Sequence, residues 1–399
     1  MTRISNVAGS NNAPCNGVFD MTSNSCDEFP IAPVILGNLT ILEEGLRLST
    51  GLTVTLLAKA GELVKLSSPE ARNSLSAIPF HVEPDGAAVF QLDDGGWVYL
   101  SNSEIPLNGG VYGLEFDAQG RPRSFSRRLS NTNRNCAGGV TPWNTWVSCE
   151  EYANGQCWQV DPTGQRIPEK TELVESTGGN FESMAVDDRD PNQMKFFVTE
   201  DHPRGALRRF TPSTVPPSWE MLHKKGTIEY LEFLPDGRFQ WTLSKDIGRE
   251  SAFNYFPNVE GISHDEGILS FVSKVRKQIF HLHLDLGTYT VESTIHQNLL
   301  GGGSLDAEPD QLLVFSDVLY FTEDGGRNPG IYAHDGTRMY ALVEAVDTKF
   351  ATDETTGFGW SPDGTKFYFC FQQNGYLFQL ERKDGLPFDS NRRLRYHGH

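Results

Sequence analysis

The chain has 399 residues, of which 38% are hydrophobic and 11% aromatic, and no apolar run approaches the ~20 residues that cross a membrane as a helix. Its 52 acidic against 34 basic residues give a net charge of −18, which excludes the basic stripe of an ordinary nucleic-acid binder. The same charge repels an anionic ligand unless bound cations invert the local field.

The first 50 residues are polar and turn-rich and read as an N-terminal extension packed on the main body, with 51–390 as one propeller and 391–399 as a basic tail that carries His397 and His399. Two domains would be the ordinary expectation at this length, but all-β propellers grow by adding blades around a channel. Met1-Thr2-Arg3-Ile4-Ser5-Asn6 lacks the apolar core of a signal peptide, so the protein is either intracellular or exported with a leader missing from this sequence. Cys15 and Cys26 are placed to close a small loop, Cys149 and Cys157 flank an Asn154-Gly155 turn and would face each other across a hairpin, and Cys136 and Cys370 have no evident partner. Six cysteines permit disulfides without requiring them. Ser67-Ser68-Pro69-Glu70 resembles an N-terminal cap and predicts a helix over 68–76.

From there a repeat governs the chain. An aromatic or aliphatic strand ends in Ser, Thr or Cys at 101, 148, 199, 273, 322 and 370, so successive markers lie 47, 51, 74, 49 and 48 residues apart. That period is the signature of a β-propeller, and six copies predict six blades. The one long interval predicts an inserted loop around Pro212 to Pro217. Asp117-Ala118-Gln119-Gly120, Asp161-Pro162-Thr163-Gly164, Pro235-Asp236-Gly237 and Ser361-Pro362-Asp363-Gly364 supply hairpin turns. Asp187-Asp188-Arg189-Asp190-Pro191 reads as a polar turn, and His281 and His283 as the surface of an outer strand.

A shorter segment precedes each marker strand and would be the innermost strand of its blade, facing the channel. Those segments place Asp85, Cys136, Glu182, Glu260, Asp310 and Glu354 in phase around one axis. Two carboxylates about 4 Å apart repel by about 4 kcal/mol at an effective dielectric near 20. A ring of them therefore either holds protons or binds cations. Hard cations such as calcium take six to eight oxygens, and a thiolate among them points to a transition metal as well.

The run Asn135-Cys136-Ala137-Gly138-Gly139-Val140-Thr141-Pro142-Trp143-Asn144-Thr145-Trp146, followed by Ser148-Cys149-Glu150-Glu151, resembles the PhoX-type alkaline phosphatases. Shorter matches follow in order: Phe181-Glu182, Thr199-Glu200-Asp201, Glu260-Gly261, Pro309-Asp310, Glu323-Asp324-Gly325 and Glu354 to Gly357. The resemblance implies a propeller phosphomonoesterase with a mixed iron–calcium cluster, acting on small phosphorylated substrates as a monomer outside the cytoplasm or in the periplasm, with a cytoplasmic location left open. It implies Cys136 as the thiolate bridging two ferric ions. Glu150, Glu182, Glu260, Asp310 and Glu354 would be carboxylate ligands to iron or calcium, joined by Asp201 and Asp324. Cys136, Glu150, Glu182, Glu260 and Arg134 would be catalytic, and Arg134 would meet the substrate phosphate. Two positions depart from the pattern. Phe181 stands where histidine is frequent, and Asn258 stands at a substrate-binding position where an arginine would clamp phosphate.

Two other functions fit a propeller channel. A calcium-dependent lactonase or arylesterase would polarise a carbonyl with calcium alone, but has no use for the Cys136 thiolate. A binding propeller with structural calcium and no turnover is the reading that Asn258 favours.

Overall fold

The computed structural model describes residues 18–20, 25–27, 35–213, 216–295, 299 and 302–388, with backbone alone at 18–20, 25–27, 35–37 and 41. The expected all-β propeller is what the structure shows: antiparallel meanders, each starting from a strand that packs against the first strand of the next. These inner strands are Pro84–Gln91, Asn135–Val140, Gly179–Asp187, Val259–Asp265, Glu308–Phe315 and Thr355–Trp360. The marker residues all lie on the strands that pair with them.

The chain closes on itself at both ends. Leu52–Lys59 pairs with Tyr376–Arg382 and completes the sheet that begins at Thr355–Trp360, whose inner strand in turn packs on Pro84–Gln91. Leu46–Thr50 and Ile35–Glu43 add to the outer edge of the sheet begun by Glu308–Phe315. The second and third meanders are joined through Glu151↔Asn180 and Tyr152↔Gly179 into one nine-stranded sheet.

The core sits between successive meanders rather than at the centre. Leu269, Phe271 and Leu282 of one sheet meet Phe197, Leu207 and Leu231 of the preceding one, all buried. Each such residue contributes roughly 1.5–3 kcal/mol on burial. Stability of this kind leaves the axis free to be polar.

The four expected hairpin turns form, with Gly120 N donating to Asp117 O, Gly164 N to Asp161 O, Gly237 N to Leu234 O and Gly364 N to Ser361 O. Asp187 to Pro191 is the polar connection between two strands, as expected. The helix expected over 68–76 does not form. Ser68 Oγ accepts from Ala71 N as a cap would, but Arg72 and Asn73 take φ of 52° and 55°, which ends the coil after one turn. Helix α1 (Lys245–Tyr255) lies instead in the long interval, capped by the Ser244 side chain on Ile247 N. With strands Thr227–Phe233 and Phe239–Thr242 it makes that interval folded structure rather than a plain loop, although 214 and 215 lie outside the described residues. His281 is buried, its Nδ1 2.8 Å from Ser270 Oγ, because the strand expected at the surface is covered by Thr288–Ser293. Cys15, the Cys26 side chain and the basic tail lie outside the described residues.

Candidate metal centre

Five inner strands skip register at the same place against their partners: between Pro84 and Ala87, Asn135 and Gly138, Phe181 and Met184, Val259 and Ile262, and Pro309 and Leu312. Such a bulge breaks the alternation and re-aims a side chain. The first residues of these bulges are Asp85, Cys136, Glu182, Glu260 and Asp310, none more than 8% exposed. An amide freed by the bulge needs a new acceptor, and in two of the five a marker hydroxyl supplies it: Ser183 N donates to Thr199 Oγ1 (2.8 Å) and Gln311 N to Thr322 Oγ1 (2.9 Å). In the sixth inner strand the skip falls between Thr356 and Gly359, so Gly357 holds the equivalent position. A Cβ there would stand 2.8 Å from both Asp85 O and Tyr99 Oη. Glu354 enters from three residues earlier and lies buried, hydrogen-bonded to Asp310.

A second set of side chains comes from the neighbouring strands. The residue before each bulge pairs with Ser103, Glu150, Glu200, Ser273 or Glu323. The next residues along are Glu104, Glu151, Asp201, Lys274 and Asp324, and neighbouring residues on a strand point to opposite sides. Glu151 therefore faces the channel, and Glu150, expected as a ligand, is turned away from it. Glu150 accepts from Asn133 N (2.8 Å), Gln156 N (3.0 Å) and Trp158 Nε1 (3.1 Å) and holds the turn ahead of its inner strand. Glu323 does the same for Asp306 N and Ala307 N. Glu104, Glu151 and Lys274 were missed at the sequence level because the marker hydroxyls drift by a residue or two relative to the pairing register.

Together these residues make three overlapping groups whose ligand atoms lie within 4.8 Å of one another: Asp85, Glu104 and Cys136; Cys136, Glu151 and Glu182; and Glu182, Glu260 and Asp310. Cys136 Sγ joins the first two, lying 3.0 Å from Asp85 Oδ2 and 2.8 Å from Glu182 Oε2. Asp85 is pinned from behind by Gln311 Nε2 and Thr356 Oγ1, both at 2.6 Å, and by Gln372 Nε2 at 3.1 Å. Asp201 and Asp324 stand beside Lys274 Nζ, at 3.8 and 3.0 Å. Arg134 sits at the rim, its guanidinium 3.4 Å from Glu104 and its side chain 45% exposed. Asn258 donates to Asp201 Oδ1 (2.6 Å) from a left-handed backbone, φ 54°.

Without cations this crowd of carboxylates holds protons. Burial, then Asp85 and Glu151, pushes Glu104 up to about 9, while burial, then Asp201, pushes Glu151 up to about 7. Asp310 rises to about 6 through burial. Glu182, Glu260 and the Cys136 thiol are raised well above their ordinary values, burial again being the largest cause. Carboxylates buried this close together hold protons or bind cations. Glu182 Oε1 is buried and has no hydrogen-bond partner among the described residues. The donor set of one thiol among many carboxylates fits a transition metal together with hard cations.

Residues 121–179 match the sequence model of the family described as alkaline phosphatase PhoX. No curated protein matches the sequence. Among solved structures, the chain is similar to Pseudomonas fluorescens PhoX in complex with vanadate, a transition state analogue, with a TM-score of 0.66 and 14% identity over 89% of this chain and 99% of that one. A Bacteroides thetaiotaomicron protein of unknown function gives a TM-score of 0.52 with 9% identity, over 83% of this chain and 76% of that one. The resemblance to the PhoX-type alkaline phosphatases is thus borne out in sequence at the cysteine segment and in fold over most of the chain.

Proposed function

We propose that this chain hydrolyses phosphate monoesters at a metal centre held by Cys136, Glu182, Glu260, Asp310, Asp85, Glu104 and Glu151 in the propeller channel. The observation that carries the reading is local. The segment matched to the phosphatase family, 121–179, is the one that carries Cys136 and Glu151, and Arg134 beside them at the rim. Iron with calcium is the metal content we propose, with Cys136 binding iron and Glu354 lying beside the calcium ions. We count six blades from the six inner strands, take 1–50 as an extension and 51–390 as the propeller, and place the working protein outside the cytoplasm as a monomer. Among the described residues no helix is long and apolar enough to cross a membrane.

Bound cations supply the neutralisation of phosphate charge and the activation of an oxygen nucleophile. The chain's own residues do the rest. Loading requires Cys136 and the raised carboxylates to release their protons, so metal uptake and proton release are coupled. Asp85, pinned by Gln311, Thr356 and Gln372, fixes the wall against which Cys136 is held. Arg134 stands where an entering phosphate meets the rim, and its pairing with Glu104 keeps the guanidinium oriented until an anion competes for it.

The test is elemental analysis of purified protein together with turnover of a generic aryl phosphate. Iron with calcium, and hydrolysis lost on chelation and restored on reloading, is the expected result. Fully loaded protein that does not turn over phosphate esters would overturn the reading. Calcium alone with ester or lactone hydrolysis would transfer the site to the lactonase class. The second reading, a calcium-binding propeller without turnover, has one observation in its favour: Asn258 is spent on Asp201 and offers no cation to a phosphate.

A further inference from the structure

The second-strand positions that follow the register pair are equivalent in five meanders: Glu104, Glu151, Asp201, Lys274 and Asp324. Where the residue is Glu104, it completes a three-ligand group with Asp85 and Cys136, the channel residues of its own and the next inner strand. Where it is Glu151, it does the same with Cys136 and Glu182. At Glu260 the pattern breaks: Glu260 and Asp310 form their group with Glu182, and the side chain delivered by the second strand is a lysine. Its Nζ lies 2.9 Å from Glu260 Oε1, 3.0 Å from Asp324 Oδ2 and 3.8 Å from Asp201 Oδ2. The Lys274 side chain is 19% exposed, and Asp201, its third neighbour, is held in place by Asn258. An ammonium in the midst of carboxylates from three different meanders stands as a metal ion would.

We propose that the Lys274 ammonium is a built-in cation that fills the corner between Glu260, Asp201 and Asp324, so that this corner, unlike the group of Glu182, Glu260 and Asp310, takes no metal ion. The centre then holds one cation fewer than its repeated architecture would allow. The proposal rests on the reading of the channel as a metal centre. It commits the Cys136 side to exchangeable metal and the Lys274 side to a fixed charge, which no chelator removes. Lysine differs here from calcium in a second way: it offers three donors and no open coordination position. It can orient carboxylates, or an incoming phosphate oxygen, without binding a water for activation.

The experiment counts calcium. Wild type, Lys274→Met and the double variant Lys274→Met with Asp324→Asn are stripped with chelator, reloaded with calcium, freed of excess ion and analysed for metal per chain. Lys274→Met should bind one calcium more than wild type, because Glu260, Asp201 and Asp324 are left without their cation. The double variant, which lacks one of those carboxylates, should lose that gain. Equal calcium in Lys274→Met and wild type overturns the proposal, and so does an extra ion that survives in the double variant. A footprint on the unaltered protein serves if Lys274→Met does not fold. Acylation followed by mass spectrometry should find Lys274 protected to the same degree with and without calcium. Calcium loading that makes Lys274 reactive would mean that a metal displaces the ammonium, and would overturn the idea. Wild type that binds no calcium refutes the metal centre, while the difference between variant and wild type still decides the role of Lys274.

Discussion

Two sides of one channel solve the same electrostatic problem differently. On the Cys136 side, Asp85, Glu104, Glu151 and Glu182 crowd around a thiol, with Arg134 supplying positive charge from the rim. On the Lys274 side, Glu260, Asp201 and Asp324 converge on an ammonium that the chain itself provides. Both sides are built by the same bulge and the same second-strand position. The backbone device therefore sets where charge converges, and a single residue type sets whether the neutralising cation is covalent or must be acquired.

The largest test of that contrast is Cys136→Ser. A hydroxyl is a hard and poorly ionised ligand, so iron and any sulfur-to-iron colour should disappear together, and phosphatase activity should fall by orders of magnitude while the fold persists. Cys370→Ser is the control, since Cys370 Sγ meets only the Tyr99 hydroxyl at 3.4 Å among the described contacts and lies outside the ring; it should change little. A Cys136→Ser protein with full metal content and activity would reduce Cys136 to a packed core residue and end the contrast.

Glu151 and Glu150 sharpen it next. Glu151→Gln removes a channel carboxylate and should weaken metal binding at least about tenfold, measured by competition with a chelator. Glu150→Gln should leave metal affinity alone and lower the melting temperature instead, because it weakens charge-assisted hydrogen bonds to Asn133, Gln156 and Trp158 worth about 1–3 kcal/mol. The reverse outcome would restore Glu150 as the ligand.

A pH series separates protons from metal. In metal-free protein the folded state keeps Glu151 and Glu104 protonated up to about 7 and about 9, whereas in the unfolded chain they ionise near 4.5. The folded state thus binds more protons across that window, and its stability must fall as pH rises from about 4.5 through 9. Thermal melts in chelator should show a decline of several degrees over that range, and calcium should flatten it by taking the place of the protons. A flat profile without metal would mean that the crowding on the Cys136 side is relieved in some other way.

The smallest effect is expected at Asn258. Asn258→Arg places a guanidinium beside Asp201 and Lys274 and should lower KM for a generic phosphomonoester a few-fold, with less change in kcat. The left-handed backbone there will cost some stability, since arginine tolerates φ near 54° less well than asparagine. A rise in KM would show that phosphate is held elsewhere, for instance by Arg134.

How much of this was legible follows from the kind of signal each feature leaves. Turns with Asp, Pro and Gly carry their own geometry, so the hairpins at 117–120, 161–164, 235–237 and 361–364 could be read directly. Asp85, Cys136, Glu182, Glu260 and Asp310 could be placed together because the bulge recurs at the same step of each inner strand, and a recurring step is a one-dimensional property. Two of the markers, Thr199 and Thr322, accept the amides that those bulges release.

The repeat, the β-structure and the convergence of acid on one axis are written in residue type and spacing. Tertiary structure decided which side of a strand each acid takes. Glu150 and Glu151 are adjacent and chemically identical, and only the pairing Asn135↔Glu150 sends one to the turn and the other to the channel. The same register puts Lys274 among Glu260, Asp201 and Asp324, residues from three meanders that are far apart along the chain. A one-residue shift reverses the face of a strand, so a ligand set is fixed only when the strands have found their partners.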